Sequence, residues 1–235
     1  MGQAGGVRHV ERAPAKLTLS LRVAGVRADG YHLIDAEMVT LDLADELTFG
    51  SGDAVTFDGA AVGPDNLVTR ALAAVDRTAA VHVTKRISPG AGLGGGSSDA
   101  AAVLRWAGCS DLAVAAALGA DVPFCLVGGR ARVTGIGEVL SPLEPVARVF
   151  TLLTPPFGVS TPAVYDAWDA LGGPTAAGPN DLEPAALSVE PRLAEWRDRL
   201  GDATGQTPVL AGSGSTWFVE GAYPDAGLIT RTDRP

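Results

Sequence analysis

Apolar and polar positions alternate strictly from Ala13 to Val23, with Ala15, Leu17, Leu19, Leu21 and Val23 set against Lys16, Thr18, Ser20 and Arg22. That period of two predicts a half-buried strand with Lys16, Thr18 and Ser20 on one face. Turn chemistry at Asp29-Gly30 follows, then "MVTLDL", "ELTFG" and "AVTFDG", which read as further short strands. After Asp65-Asn66 the period changes, because Leu67, Val68, Ala71, Leu72 and Val75 recur at helical spacing. "VHVTK" returns to alternation before a glycine-rich loop and a second helix, "SSDAAAVLRWA", with Ser97, Ser98 and Asp99 as capping candidates. "SDLAVAAALG" predicts a third helix closing at Gly119, and "RARVTG" and "RVFTLLTP" two more strands.

A Pro-containing joint from Ser141 to Pro145 divides the chain into an N-terminal lobe, 1–145, and a C-terminal lobe, 146–235. In the second part Thr161-Pro162 opens a helix in cap-then-proline order, "PRLAEWRDRL" is another, and "PVLAGSGSTWFVEG" reads strand, glycine turn, strand. Strands and helices mix without regular alternation, so the fold class is α+β with two lobes, not a doubly wound sheet.

Composition narrows the function classes. The 235 residues are 46% hydrophobic and 19% charged, ample for a buried core. A net charge of −9 with scattered arginines gives no basic face for nucleic acid. No apolar run reaches the length of a membrane span, the N-terminal stretch lacks a signal core, and Gly6 stands where myristoylation needs Ser or Thr. A cytoplasmic protein with no nucleic-acid or membrane partner is expected. Cys109 and Cys125 lack metal or disulfide spacing and read as buried small hydrophobes.

The candidate chemistry begins in "RISPGAGLGGGSSDAA", where five glycines fall among the seven residues Gly90–Gly96. Gly90, Gly92 and Gly95 fit G-x-G-x-x-G, but several strands precede the loop and Asp111 sits at a helix cap, which argues against a dinucleotide fold. A P-loop needs Lys directly after Gly, and the two lysines, Lys16 and Lys85, follow Ala15 and Thr84. The G-x-S-x-G elbow is absent. What remains is a glycine loop feeding a helix N-terminus, which offers backbone N–H groups and a positive dipole end to an anion. Ser97 and Ser98 add hydroxyls there, as ligands or as plain caps.

These residues carry a resemblance. "PGAGLGGGSSDAA" resembles the central phosphate-binding motif of the galactokinase, homoserine kinase, mevalonate kinase and phosphomevalonate kinase superfamily, and "PVLAGSGSTWFV" its C-terminal glycine motif. "APAKLTLSLRVAGVRADGYHLID", "DNLVTRA" and "GADVPFCLVGG" narrow the resemblance to its 4-diphosphocytidyl-2-C-methyl-D-erythritol kinase family. The resemblance implies an N-terminal lobe like ribosomal protein S5 domain 2, a shortened ferredoxin-like C-terminal lobe, and ATP with Mg²⁺ in the cleft between them. It also implies a phosphate cradle of Pro89, Gly90, Gly92, Leu93, Gly94, Gly95, Gly96, Ser97 and Ser98, backed by Gly212, Ser213 and Gly214. Asn66 and Lys85 are implied at the nucleotide, and Thr18, Tyr31, His32 and Tyr165 at the acceptor substrate.

Phosphoryl transfer to an alcohol also needs a carboxylate to orient the hydroxyl and a cation for the developing charge. Asp121, in the apolar company of Ala120 and Val122-Pro123-Phe124, needs a partner if ionised, and Lys16 is the natural one. The alternative reading of Asp121 is a plain cap over Val122-Pro123. The chain has sixteen arginines against two lysines, so each lysine departs from its compositional habit. Without the resemblance, His32 reads as an ordinary strand histidine, Tyr165 as helix core and Lys85 as a solvated strand end. Another kinase of the superfamily, or a nucleotide-binding relative without catalysis, stays open.

Overall fold

The computed structural model describes residues 9–58, 60, 61, 63 and 65–233; the reading of Gly6 lies outside them. Two long antiparallel strands, β1 (His9–Val26) and β2 (His32–Gly50), form a hairpin closed by the turn at Asp29-Gly30. β2 runs unbroken through both "MVTLDL" and "ELTFG", so the two short strands expected there are one. Its first half pairs with β6 (Arg130–Gly135) and its second with β5 (Ala80–Thr84). β3 (Val55–Phe57) and β4 (Ala60–Ala61) extend one edge and β7 (Val139–Pro142) the other, giving a seven-stranded sheet. β7 thus occupies part of the expected joint.

β1 is not a uniform strand. Its register shifts between Pro14 and Lys16 and again between Thr18 and Ser20, two bulges that bracket Lys16–Thr18. A bulge advances the side-chain alternation by one. Ala15, Leu17 and Leu19 therefore enter one buried cluster while Leu21 enters another, and Ser20 parts from the face of Lys16 and Thr18.

Four helices cover one side of this sheet: α1 (Leu67–Ala74), α2 (Gly95–Trp106), α3 (Leu112–Leu118) and α4 (Val122–Val127). Asn66 caps α1 by accepting the N–H of Thr69, and Asp111 caps α3, which ends at Gly119. α2 starts two residues before the expected point. Its cap is Gly94, with φ +69°, and not Ser97, Ser98 or Asp99. Every residue of α2 from Ser98 to Leu104 is buried, and the run of alanines at 100–102 lets the helix lie close on β1. Cys125 is buried and Cys109 half-buried, both as free thiols.

A second, four-stranded antiparallel sheet contains β8 (Val149–Leu153), β9 (Val209–Leu210), β10 (Trp217–Glu220) and β11 (Leu228–Arg231) in the order β11-β8-β10-β9. α5 (Thr161–Ala170), α6 (Glu183–Val189) and α7 (Leu193–Thr204) belong to this half. Ser160, not Thr161, caps α5, and Pro162 falls in its first turn. Two clusters join the halves. Leu21, Ile34 and Val133 meet Trp168, Leu193 and Trp217, while Leu17 and Leu41 meet Phe150 and Phe218. Together they form an α+β fold of two sheets with a cleft along their junction. No helix among the described residues is long and apolar enough to cross a membrane.

Candidate active site

The cleft holds a cavity of about 540 Å³, walled on one side by the loop from Ser88 to Ser97. Gly90, Gly92 and Gly94 all have positive φ, at +70°, +78° and +69°. The chain needs glycine at two of them for space as well as conformation. A Cβ on Gly92 would stand 2.4 Å from the Ala211 carbonyl oxygen, and one on Gly94 2.7 Å from Lys16 Cγ. Backbone hydrogen bonds from Ser215 to Gly90 and from Thr216 to Ala91 fasten the 211–215 turn to the loop. The two glycine motifs are therefore one interlocked unit. Beyond Gly94, the N–H groups of Gly95, Gly96 and Ser97 open α2 and have no carbonyl of their own helix to bond, so they are available to an anion.

Lys16 reaches this loop from below. Its N–H donates to Leu93 O at 3.0 Å, and the bulges on either side aim its side chain and that of Thr18 into the cavity. Lys16 Nζ lies 3.4 Å from Asp121 Oδ2 and donates to Thr18 Oγ1 at 3.1 Å. The lysine side chain is 7% exposed and the aspartate 32%, so the pair is sheltered but open to a ligand on the acid's side. Asp121 precedes α4 but makes no capping hydrogen bond. Its carboxylate faces Lys16 and the cavity instead of capping the helix.

Thr161 Oγ1 and Ser213 Oγ hydrogen-bond at 2.7 Å on the opposite wall, beside Gly212 and Tyr165. Tyr165 stacks on His32 with centroids 4.6 Å apart, and His32 Nε2 pairs with Asp169 Oδ1 at 2.9 Å. Burial, then the nearby Asp121, push the Tyr165 phenol well above its ordinary pKa. His32 backs Tyr165 and does not itself wall the cavity. Tyr31 points elsewhere, 57% exposed under the Arg27 guanidinium. Asn66 is engaged as the α1 cap, outside the wall.

Ser98 is fully engaged away from the cleft. Its hydroxyl donates to Pro14 O at 2.6 Å and approaches Cys125 Sγ at 3.3 Å, so of the two adjacent serines Ser97 alone lines the cavity. Burial pushes the Cys125 thiol up to about 12, which leaves it un-ionised. Lys85 Nζ donates to Asp45 Oδ2 and, at 2.7 Å, to Asp99 Oδ2. Burial pulls Lys85 down, but its two carboxylates more than offset this and raise its pKa overall. Burial raises Asp99 to about 6.

Sequence reasoning missed Thr161, Asp45 and Asn180. Asn180, buried, donates to both Leu210 O and Gly212 O, at 2.9 and 2.7 Å, and so holds the second glycine turn. Thr161 is disguised by its place beside a helix-opening proline, and Asp45 by lying inside a strand pattern.

Residues 66–129 match the family of GHMP kinases N terminal domains. The 4-diphosphocytidyl-2-C-methyl-D-erythritol kinase of Paracoccus denitrificans (strain Pd 1222) is 39% identical over 233 residues, spanning 88% of this chain and 85% of the relative. The chain belongs to the 4-diphosphocytidyl-2-C-methyl-D-erythritol kinase family. The member of this family from Ruegeria pomeroyi (strain ATCC 700808 / DSM 15171 / DSS-3) is likewise 39% identical, over 92% of this chain and 88% of its own. A crystal structure of a 4-(cytidine 5'-diphospho)-2C-methyl-D-erythritol kinase superposes with a TM-score of 0.77 at 33% identity, covering 96% of this chain and all of the other. Homoserine kinase from Cytophaga hutchinsonii shares the fold at a TM-score of 0.59 and 19% identity. The two-lobed kinase fold read from the sequence is thereby established for this family member.

Proposed function

We propose that this protein transfers the γ-phosphoryl group of ATP to the 2-hydroxyl of 4-diphosphocytidyl-2-C-methyl-D-erythritol. The carrying observation is the Lys16–Asp121 pair, 3.4 Å apart in the cavity that the glycine loop walls. Phosphoryl transfer passes through a transition state whose catalysis is chiefly positioning and electrostatics. Asp121, the partly exposed member, orients the acceptor hydroxyl and takes its proton. Lys16 Nζ, with a third N–H beyond those turned to Asp121 and Thr18, meets the charge on the transferred group. The amides of Gly95, Gly96 and Ser97 hold the β- and γ-phosphates, and Tyr165, braced by His32, receives the acceptor.

Magnesium belongs to this reading as the ion that ATP brings. Oxygen donors suit it, and Ser97 Oγ and the Asp121 carboxylate, both lining the cavity, would hold it. No group of three His, Cys, Asp or Glu side chains among the described residues forms a ready cage, so phosphate and water oxygens complete its shell. The ion neutralises phosphate charge when bound. A lobe boundary near residue 145 is part of the same proposal, supported by the change of sheet between Pro142 and Val149.

The test is ADP release with ATP, magnesium and 4-diphosphocytidyl-2-C-methyl-D-erythritol, set against homoserine, mevalonate and no acceptor, for wild type and Asp121→Asn. Turnover is expected with the cytidylated acceptor alone. Asp121→Asn should lose at least about 10²-fold in kcat, the scale of general-base catalysis, while still binding ATP. Unaltered turnover in that variant removes Asp121 from the mechanism.

A further inference from the structure

Beneath the glycine loop lies a buried group of charges that the mechanism does not use. Asp45 is completely buried on β2, and both its oxygens are engaged. Oδ2 accepts from Lys85 Nζ, and Oδ1 accepts the backbone N–H groups of Arg86 and Ile87, the latter at 2.8 Å. Lys85 donates at 2.7 Å to Asp99, one turn into α2, and its own N–H donates to Asp58 Oδ1 at 3.0 Å. Asp99 is 1% exposed, and its second oxygen, Oδ1, has no hydrogen-bond partner. Residues 85–87 lie immediately before the loop, and Asp99 lies two residues past Ser97, inside α2. One buried network therefore grips both ends.

We infer that Lys85 is a positioning residue and not a nucleotide ligand: held between Asp45 and Asp99, it fixes the N-terminal half of α2 against the strand that feeds the loop, and so aims the loop's free amides at a phosphate. Lys85 and Asp99 edge the cavity, but two of the ammonium's three N–H groups are directed at carboxylates, and swinging Nζ away to a phosphate would leave the completely buried Asp45 without its counter-charge. Gly95 records how closely the parts fit. A Cβ there would stand 3.0 Å from Ile87 Cγ2 and 3.4 Å from Lys85 Nζ. Asp58, just past the end of β3, also faces this group, and the Lys16–Asp121 pair lies beyond Gly94.

The inference rests on the reading of the cleft as an ATP site, and the experiment separates the two. Affinities for ATP, ADP and adenosine are measured by calorimetry at pH 8 for wild type, Lys85→Met, Asp99→Asn and the double variant, with circular dichroism confirming the fold. Each single substitution should weaken ATP and ADP at least about tenfold and leave adenosine within about twofold, because the base site is not gripped by the network. The double variant should be no weaker than the worse single one, the signature of residues acting as a unit. ATP loss in Lys85→Met with unchanged or tighter ATP in Asp99→Asn would make Lys85 a direct ligand and overturn the inference. Equal loss of adenosine and ATP would overturn it too, in favour of a plain scaffold role. If Lys85→Met does not fold, Asp99→Asn, which keeps the volume and one acceptor for Lys85, decides by the same comparison. A wild type that fails to bind ATP refutes the underlying reading instead.

Discussion

Replacing Gly92 by alanine isolates the contact between the two glycine motifs. The φ of +78° is the first cost, since a left-handed backbone disfavours any residue with a Cβ by about 1–2 kcal/mol. The second is steric. The new Cβ would lie 2.4 Å from Ala211 O and 2.7 Å from Gly214 O, where ordinary contact begins at 3.4 Å, so the turn must retreat by 3.4 − 2.4 = 1.0 Å. Both obstacles are backbone atoms, and no rotamer relieves them. With overpacking added to backbone strain, the expected loss is about 2–4 kcal/mol. For a chain of this size that corresponds to a fall in Tm of about 5–15 °C. A 1 Å displacement at a reacting site costs about 10²-fold, so kcat/KM should fall by that order even below the transition.

Gly96→Ala is the matched control within the same loop. Its Cβ would meet only Leu67 Cδ1 at 3.5 Å, in a helical backbone, so stability should hold or rise by up to about 1 kcal/mol. Because Gly96 lines the phosphate side of the cavity, the KM for ATP should nonetheless increase. Thermal melts by circular dichroism and coupled ADP release measure both variants. Gly92→Ala with unchanged Tm and kcat/KM would refute the interlocking argument outright.

Other consequences are equally direct. Asp99 has its pKa raised from 3.8 to about 6 by burial, so its contribution to stability is fully present below pH 3.8 and is lost as pH rises through about 6. The shift corresponds to about 3 kcal/mol, and urea titrations between pH 4 and 7 should show Asp99→Asn flattening that decline relative to wild type; parallel curves would mean the acid is not so perturbed. Asn180→Ala leaves the carbonyls of Leu210 and Gly212 buried without their donor and should cost about 2–4 kcal/mol, read as a lower urea midpoint with unchanged m. His32→Ala removes the support of Tyr165 and should raise the KM for the cytidylated acceptor about tenfold while that for ATP holds; equal effects on both would detach the stack from the acceptor.

The period-two pattern located the strand that carries Lys16 and Thr18 and the side of it they share. It did not reveal the two bulges, because a bulge is a mismatch with the partner strand and leaves no mark on one strand's own alternation. The two short strands expected in place of β2 leave out Ala44-Asp45, whereas the folded chain carries the strand through and buries that acid against Lys85 and two backbone amides. Capping chemistry was legible at Asp111, while Asn66, expected at the nucleotide, turns its side chain to capping α1. At Ser98, Asp99 and Asp121 distant residues won the competition for the same side chains. Tyr31 and His32 were expected to act together, but adjacent residues entering a strand face opposite ways, and only His32 turns inward to Tyr165.

The scarcity of lysine follows from where the two lysines stand. Around Lys16 the backbone closes a circuit: Lys16 donates to Leu93, the 215–216 amides to Gly90 and Ala91, Asn180 to Gly212, and the segment at Asn180 returns to β1 through Leu21. Within that ring, Gly94 and Gly212 lie close enough to the lysine that any side chain on them would touch it. Lys85 is enclosed in the same way by Asp45, Asp99 and Gly95. Their side chains are 7% and 14% exposed, against 24% or more for every arginine that forms an ion pair among the described residues. A planar guanidinium needs a broad, flat approach, and an ammonium needs only a point. The chain uses arginine wherever the surface allows the fork, and keeps lysine for the two places where the cation must fit inside the glycine-lined framework. The composition, the glycine motifs and the Lys16–Asp121 pair thus answer to one constraint, the close approach of backbone to a buried cation.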